Sequence, residues 1–216
     1  MQVSLHTLTD PASSVAEAYR TLRTNLMFAA LNKPLQTLVL TSPTPDANCA
    51  DKSSTIANLA VSFAQIGRKT ILVDADLRRP KQHELWQISN ERGLTSALLD
   101  GKLSLQNVGV ENLQVLTSGP KPPNSADLLG SRKMEELLAQ LKEQAEILLF
   151  DAPPVLAVSD TPILASKLDG ILLAFTAGKT RRDHAQRAKE LLEKANIRIV
   201  GTVLNNAPIE TGDGGY

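Results

Sequence analysis

The sequence is poor in the features that mark several large classes of protein. It has one cysteine, Cys49, so no internal disulfide can form, and that usage fits a reducing compartment. Aromatic residues make up 3% of the chain, too few for a platform that stacks bases. Neither sign of charge is in excess, with 23 Lys plus Arg against 23 Asp plus Glu. No global field therefore draws the chain to nucleic acid or to an anionic lipid surface, and no nucleic-acid partner is expected. No apolar run reaches the roughly 18 residues of a membrane span, and the N-terminus lacks the apolar core of a signal peptide. One further absence is local. The stretch Leu38–Leu59, LVLTSPTPDANCADKSSTIANL, contains no glycine.

That stretch nevertheless reads as strand, loop and helix. An apolar β-run breaks at Ser42-Pro43-Thr44-Pro45, and helical spacing resumes after Lys52-Ser53-Ser54. A loop of this layout aims backbone N–H groups and a helix N-terminus at a phosphate chain. Its lysine reaches the outer phosphates, and the hydroxyl after it serves Mg²⁺. The common form is G-x-x-x-x-G-K-[ST], and Asp51 occupies the place of the last glycine.

The remainder is consistent with a single α/β domain of 216 residues. Residues 1–12 read as an irregular N-terminal arm, 13–208 as one domain and 209–216 as a flexible tail. Ser14 with Glu17 fits a capping box, and Val15, Ala18, Leu22, Leu26, Ala29 and Ala30 share one helical face. Glu17, Arg20 and Arg23 fall on another face, where their spacing alone fits a solvated surface with i,i+3 ion pairs. Strands are expected at Gln36–Thr41, Lys69–Asp74, Leu113–Thr117, Glu146–Asp151, Ile171–Thr176 and Ile197–Asn205. Helices are expected from Lys52 to Gly67, at Gly93–Leu99, Ser131–Gln144, Thr161–Lys167 and Arg181–Ala195. Residues 118–124 read as a Pro-rich loop. This alternation predicts a mostly parallel sheet with helices on both faces. Asp74 and Asp76 follow one apolar run, and Asp151 closes another. Acids at the C-terminal ends of parallel strands sit where such sheets bind ligands. His83 reads as a packed or surface residue, and no Cys or second His lies at zinc-ligand spacing.

Four segments in order carry a family resemblance. They are EAYRTLR at 17–23, TSPTP at 41–45 with KSSTIANLA at 52–60, ILVDADLRRP at 71–80, and ILLFDAPP at 147–154. Together they resemble the cytoplasmic domain of bacterial tyrosine kinases of capsule and exopolysaccharide biosynthesis, P-loop proteins of the MinD/ParA-like group. The resemblance spans roughly residues 13 to 208 and implies a P-loop NTPase-like fold with ATP/ADP and Mg²⁺ as cofactors. It implies catalytic roles for Lys52, Asp74, Asp76 and Arg78, and nucleotide contacts from Lys52, Ser53, Ser54 and Asn205. It implies that Ser53, Asp74 and Asp151 serve the metal. Glu17, Arg20 and Arg23 would make subunit contacts in a ring-like homo-oligomer, and Tyr216 would be the phosphoacceptor. The expected partners are other copies of the chain and a membrane chain-length regulator, fused or separate. That places the domain in the cytoplasm at the inner face of the cell membrane.

Two departures from the family pattern bear on activity. The usual loop reads S-P-x-P-G-E-G-K-S, whereas residues 46–51, DANCAD, replace G-E-G and make the loop three residues longer. A carboxylate about 5 Å from a phosphate, at an effective dielectric of ~20, repels by roughly 3 kcal/mol per charge pair. That corresponds to about a hundredfold in affinity. The family tail generally holds a tyrosine cluster, and here it holds only Tyr216. Two readings follow, an ATP-dependent protein-tyrosine kinase with weakened nucleotide binding, and an inactive pseudokinase scaffold that assembles with the membrane regulator. A MinD-type positioning ATPase is disfavoured, because no lysine lies between Leu38 and Asp51.

Overall fold

In a computed structural model, residues 5–31, 33–45 and 50–207 are described, with the side chains of Ala50 and Asp51 left aside. The chain runs α1 (His6–Thr9), α2 (Ser14–Ala29), β1 (Thr37–Thr41), α3 (Ala50–Ala64), β2 (Thr70–Asp74), α4 (Gln82–Trp86) and α5 (Leu94–Asp100). It continues through β3 (Gln106–Asn107), β4 (Leu113–Leu116), α6 (Ser125–Gly130), α7 (Arg132–Gln144) and β5 (Ile147–Asp151). The last elements are α8 (Asp160–Ala165), β6 (Gly170–Thr176), α9 (Arg182–Lys194) and β7 (Ile199–Asn205).

The strands form one sheet in the order β3-β4-β2-β5-β1-β6-β7. Every neighbouring pair is parallel except the short antiparallel β3–β4 ladder. The inner strands β1, β2, β5 and β6 are buried at nearly every position because both faces are covered, whereas the edge strand β7 is partly exposed. Alternate residues feed two cores. Val39, Ile71, Val73, Leu148 and Phe150 pack on one side with Leu94, Leu98 and the α7 residues Met134, Leu137, Leu138 and Leu141. Leu38, Leu40, Leu72, Leu149 and Leu172 pack on the other with Ile56, Leu59, Ala60 and Phe63 of α3, and with Leu26 of α2.

The expected alternation and the helix-covered sheet are present, with local corrections. The N-terminal arm is not wholly irregular: α1 docks on α3, where buried Asn58 Oδ1 accepts hydrogen bonds from the Thr7 backbone N–H (3.0 Å) and hydroxyl (2.8 Å). Four residues are too few to show a helical period. The cap of α2 is Ser13, whose hydroxyl accepts from Ala16 N–H, and not Ser14. The buried face of α2 accordingly contains Ala16 and Leu26, while Val15 is 36% exposed. Helix α6, capped by the Asn124 side chain, and strand β3 were not expected. Ser131 caps α7 through Met134 N–H, as its position before an amphipathic run predicts. Among the described residues, no helix is long and apolar enough to cross a membrane.

Candidate nucleotide site

The site is built by sheet register. Leu72 of β2 and Leu149 of β5 are paired neighbours and both face α3. Two residues further, the period-two rule points Asp74 and Asp151 the same way, and those two are also paired. Both acids are fully buried at the strand ends. Lys52, in the first turn of α3 and 5% exposed, meets them there. Its Nζ pairs with Asp151 Oδ1 and lies 3.9 Å from Asp76 Oδ2.

The carboxylates are also held by backbone. Asp74 Oδ2 accepts from Lys81 N–H (3.0 Å) and Gln82 N–H (2.9 Å), and its Oδ1 accepts from Asp76 N–H (3.3 Å). Asp76 Oδ1 accepts from Arg79 N–H at 3.0 Å. The turn after β2 thus folds back on its own acids. The loop after β1 is stitched to the loop after β5: Val155 N–H donates to Ser42 O and Leu156 N–H to Pro43 O. Thr41 and Thr161 both donate their hydroxyls to Pro153 O at 2.6 Å.

Three carboxylates against one ammonium leave uncompensated negative charge in a largely buried site. Burial, and next the neighbouring Asp151, push the Asp74 carboxyl up to about 8, against the pull of the Gln82 N–H and Lys52. Burial also raises Asp76, with Lys52 opposing. For Lys52, burial works against the charge, but Asp151 and Asp76 outweigh it and the ammonium is held above its ordinary range.

Arg78 lies apart from this cluster's hydrogen bonds. Its Nε and Nη2 make a two-pronged contact with Asp160 at 2.9 Å each, and that bond raises the guanidinium above its ordinary value. Asp160 is fully buried at the start of α8, whereas the Arg78 side chain is 43% exposed. Asn205, ending β7, accepts from the Thr55 hydroxyl of α3 at 3.1 Å, so the far edge of the sheet reaches the same helix. Ser53 and Ser54 follow Lys52 in α3, Ser53 buried and Ser54 half-buried.

The expected Glu17/Arg20/Arg23 surface is not one face. Glu17 and Arg20 pair at 2.6 Å on the solvent side. Arg23 instead turns under the helix, where its Nη1 donates to Ser62 O (2.7 Å) and Ser62 Oγ (3.2 Å) of α3. The helical period explains the correction: Arg23 lies on the side that carries Ala16 and Leu26 toward α3. Tyr216, Cys49 and the 46–49 segment lie outside the described residues. Gln82, Trp86 and Asp160 were not singled out from sequence. They sit in stretches without apolar period, and a neutral amide eight residues after an acid carries no motif. An open recess of about 550 Å³ lies at the opposite end of β2 and β4, lined by Lys69, Asn112 and Gln114, and holds none of the expected residues.

Comparison with known proteins agrees with this geometry. Residues 50–214 match the ParA family, described as NUBPL iron-transfer P-loop NTPases. The chain is 42% identical over 208 residues to tyrosine-protein kinase YwqD of Bacillus subtilis (strain 168), covering 95% of this chain and 86% of that protein. This chain belongs to the bacterial tyrosine-kinase family of P-loop NTPases. A second family member, a putative tyrosine-protein kinase in the cps region of Klebsiella pneumoniae, is 32% identical over 200 residues. The alignment covers 91% of this chain and 27% of that longer one. Among solved structures, the chimerical protein CapA2B2 superposes with a TM-score of 0.89 at 35% identity, covering 94% of this chain and 90% of that one.

P-loop NTPases as a class bind a nucleotide with Mg²⁺. Among the described residues, no group of three or more His, Cys, Asp or Glu is placed to hold a metal ion by itself. An Mg²⁺ that arrives on phosphates needs no such set and takes one or two carboxylates. The excess charge at Asp74, Asp76 and Asp151 is what such a cation would relieve, so the donor set of this family member fits the group.

Proposed function

We propose that this chain is an ATP-dependent protein-tyrosine kinase domain that regulates polymerisation and export of a capsular or extracellular polysaccharide. The observation that carries the reading is the buried Lys52–Asp151–Asp76–Asp74 cluster at the ends of β2 and β5. In this reading Lys52 leaves Asp151 for the outer phosphates, and Ser53 and Asp151 serve the Mg²⁺ that neutralises them. Ser54 and Asn205 add nucleotide contacts from α3 and β7. Asp74, with a carboxyl poised near neutral pH, receives the proton of an attacking tyrosine hydroxyl. Asp76 and Arg78 keep the charge and shape of the turn. The phosphoacceptor is Tyr216 of another copy, brought into reach by a ring in which exposed Glu17 and half-buried Arg20 contact a neighbour.

The same reading sets the domain at the cytoplasmic face of a membrane through a chain-length regulator. The cps region named for one relative supports the polysaccharide part of this reading.

A second reading is favoured by one observation. Lys52 is satisfied inside the protein, by Asp151 and Asp76, and the acidic loop of residues 46–51 opposes phosphates. A pseudokinase scaffold would keep the fold and the α2 surface without chemistry. Intact-mass measurement after incubation with Mg-ATP separates the two. The kinase reading requires one added phosphate that both Tyr216→Phe and Lys52→Met abolish. An unchanged mass in the native chain supports the scaffold.

A further inference from the structure

One buried residue bonds to two of the three aspartates of the cluster, Asp151 through its side chain and Asp74 through its backbone. Gln82 opens α4 and is fully buried. Its Nε2 donates to Asp151 Oδ2 (2.8 Å) and to Ser53 O (3.0 Å), so both amide protons are used on the site. Its Oε1 accepts from the Trp86 indole Nε1 at 3.1 Å, one helical turn on. Its backbone N–H holds Asp74.

The orientation of this amide is determined by its partners. An indole N–H is only a donor, and the carboxylate and the Ser53 carbonyl are only acceptors. A flipped amide would set its oxygen against two oxygens and its NH₂ against an N–H. The consequence falls on Asp151, whose two oxygens are divided: Oδ2 belongs to Gln82 and Oδ1 to Lys52. A lysine that leaves for a phosphate vacates Oδ1 and no other atom of that carboxylate.

We propose that Gln82 is a positioning residue, held by Trp86, that keeps Asp151 anchored through Oδ2 so that Oδ1 is exchanged between Lys52 and the cation that accompanies a nucleotide. This rests on the nucleotide reading above and assigns no chemistry to Gln82 itself. A residue that served only packing would affect binding of nucleotide with and without metal alike. A residue that orients Asp151 affects the metal-dependent part.

The test is the dissociation constant of ADP, measured with and without Mg²⁺, for the native chain, Gln82→Leu and Trp86→Phe. Losing one hydrogen bond to a buried carboxylate should cut the Mg²⁺-dependent gain in affinity by about tenfold in Gln82→Leu. ADP alone should bind within about threefold of native, since Lys52 and Ser53 remain. Trp86→Phe should shift the gain the same way by less. Trp86 is the sole tryptophan, so its emission should respond to Mg-ADP in the native chain and lose that response in Gln82→Leu. An unchanged Mg²⁺ gain in Gln82→Leu, or an equal loss with and without metal, overturns this inference and leaves the nucleotide reading standing. If the native chain binds ADP under neither condition, the same variants are compared with residues 46–51 replaced by Gly-Glu-Gly. No binding there overturns both.

Discussion

Two clusters of charge flank α3, and they use the same residue types to different ends. At the strand ends, Lys52 and three aspartates are buried together, and burial with the neighbouring charges shifts Lys52, Asp74 and Asp76. Across α3, Glu17 and Arg20 pair in solvent while only Arg23 is drawn under the helix. The first cluster is expensive to hold, and the proposed function gives it a cation and phosphates to accept. The second costs little, and its exposed members are available to another surface. Position relative to the sheet, and not residue type, makes the difference.

The largest effect that would break this contrast comes from Asp151→Ala. Removing the partner of buried Lys52 should cost about 3–5 kcal/mol in denaturant unfolding. Glu17→Ala, the matching change on α2, should cost under about 0.5 kcal/mol. Equal costs would erase the distinction.

The pH dependence of stability should sharpen it. Asp74 binds its proton more tightly folded than unfolded, so its contribution to folding stability falls as pH rises from about 4 toward 8. The loss should amount to a few kcal/mol and should flatten in Asp74→Asn. Urea unfolding across that range reads it, and a native curve that rises with pH over this window would contradict the charge assignment.

Arg23→Ala should fall between the extremes. It removes the bonds to Ser62 and should cost about 1 kcal/mol, because its Nε already lacks a partner among the described residues. The smallest stability effect is expected for Arg20→Ala, within about 0.5 kcal/mol. Sedimentation should nevertheless show weaker self-association if α2 meets another copy, and an unchanged profile counts against the ring.

The contrast also shows what a sequence can carry. The strands were legible because both faces are buried and the apolar runs are nearly unbroken. The acids that end β2 and β5 stood out for the same reason, as charges at the close of apolar runs. Lys52 was legible through its place between loop and helix. The bonds of Arg23 to Ser62 were not legible, because a long cationic side chain can turn under its own helix, which spacing does not report. Asp160 and Gln82 were missed because their importance arises from register across the sheet: Asp160 from the reach of Arg78 after β2, Gln82 from the fold-back of the turn onto Asp74. Gly93 was legible only as the start of a short helix. Its position is dictated by Thr117 O, which would lie 2.1 Å from any added Cβ.

On the proposed reading, the cluster is a working nucleotide site whose affinity is limited by the acidic segment of residues 46–51. Calorimetric titration with Mg-ADP tests it most directly, on the native chain beside a variant with residues 46–51 replaced by Gly-Glu-Gly. The account predicts that both bind, the native chain about a hundredfold more weakly, the size expected from one close carboxylate–phosphate pair. Failure of both chains to bind would contradict the claim and remove Lys52 from its assigned role.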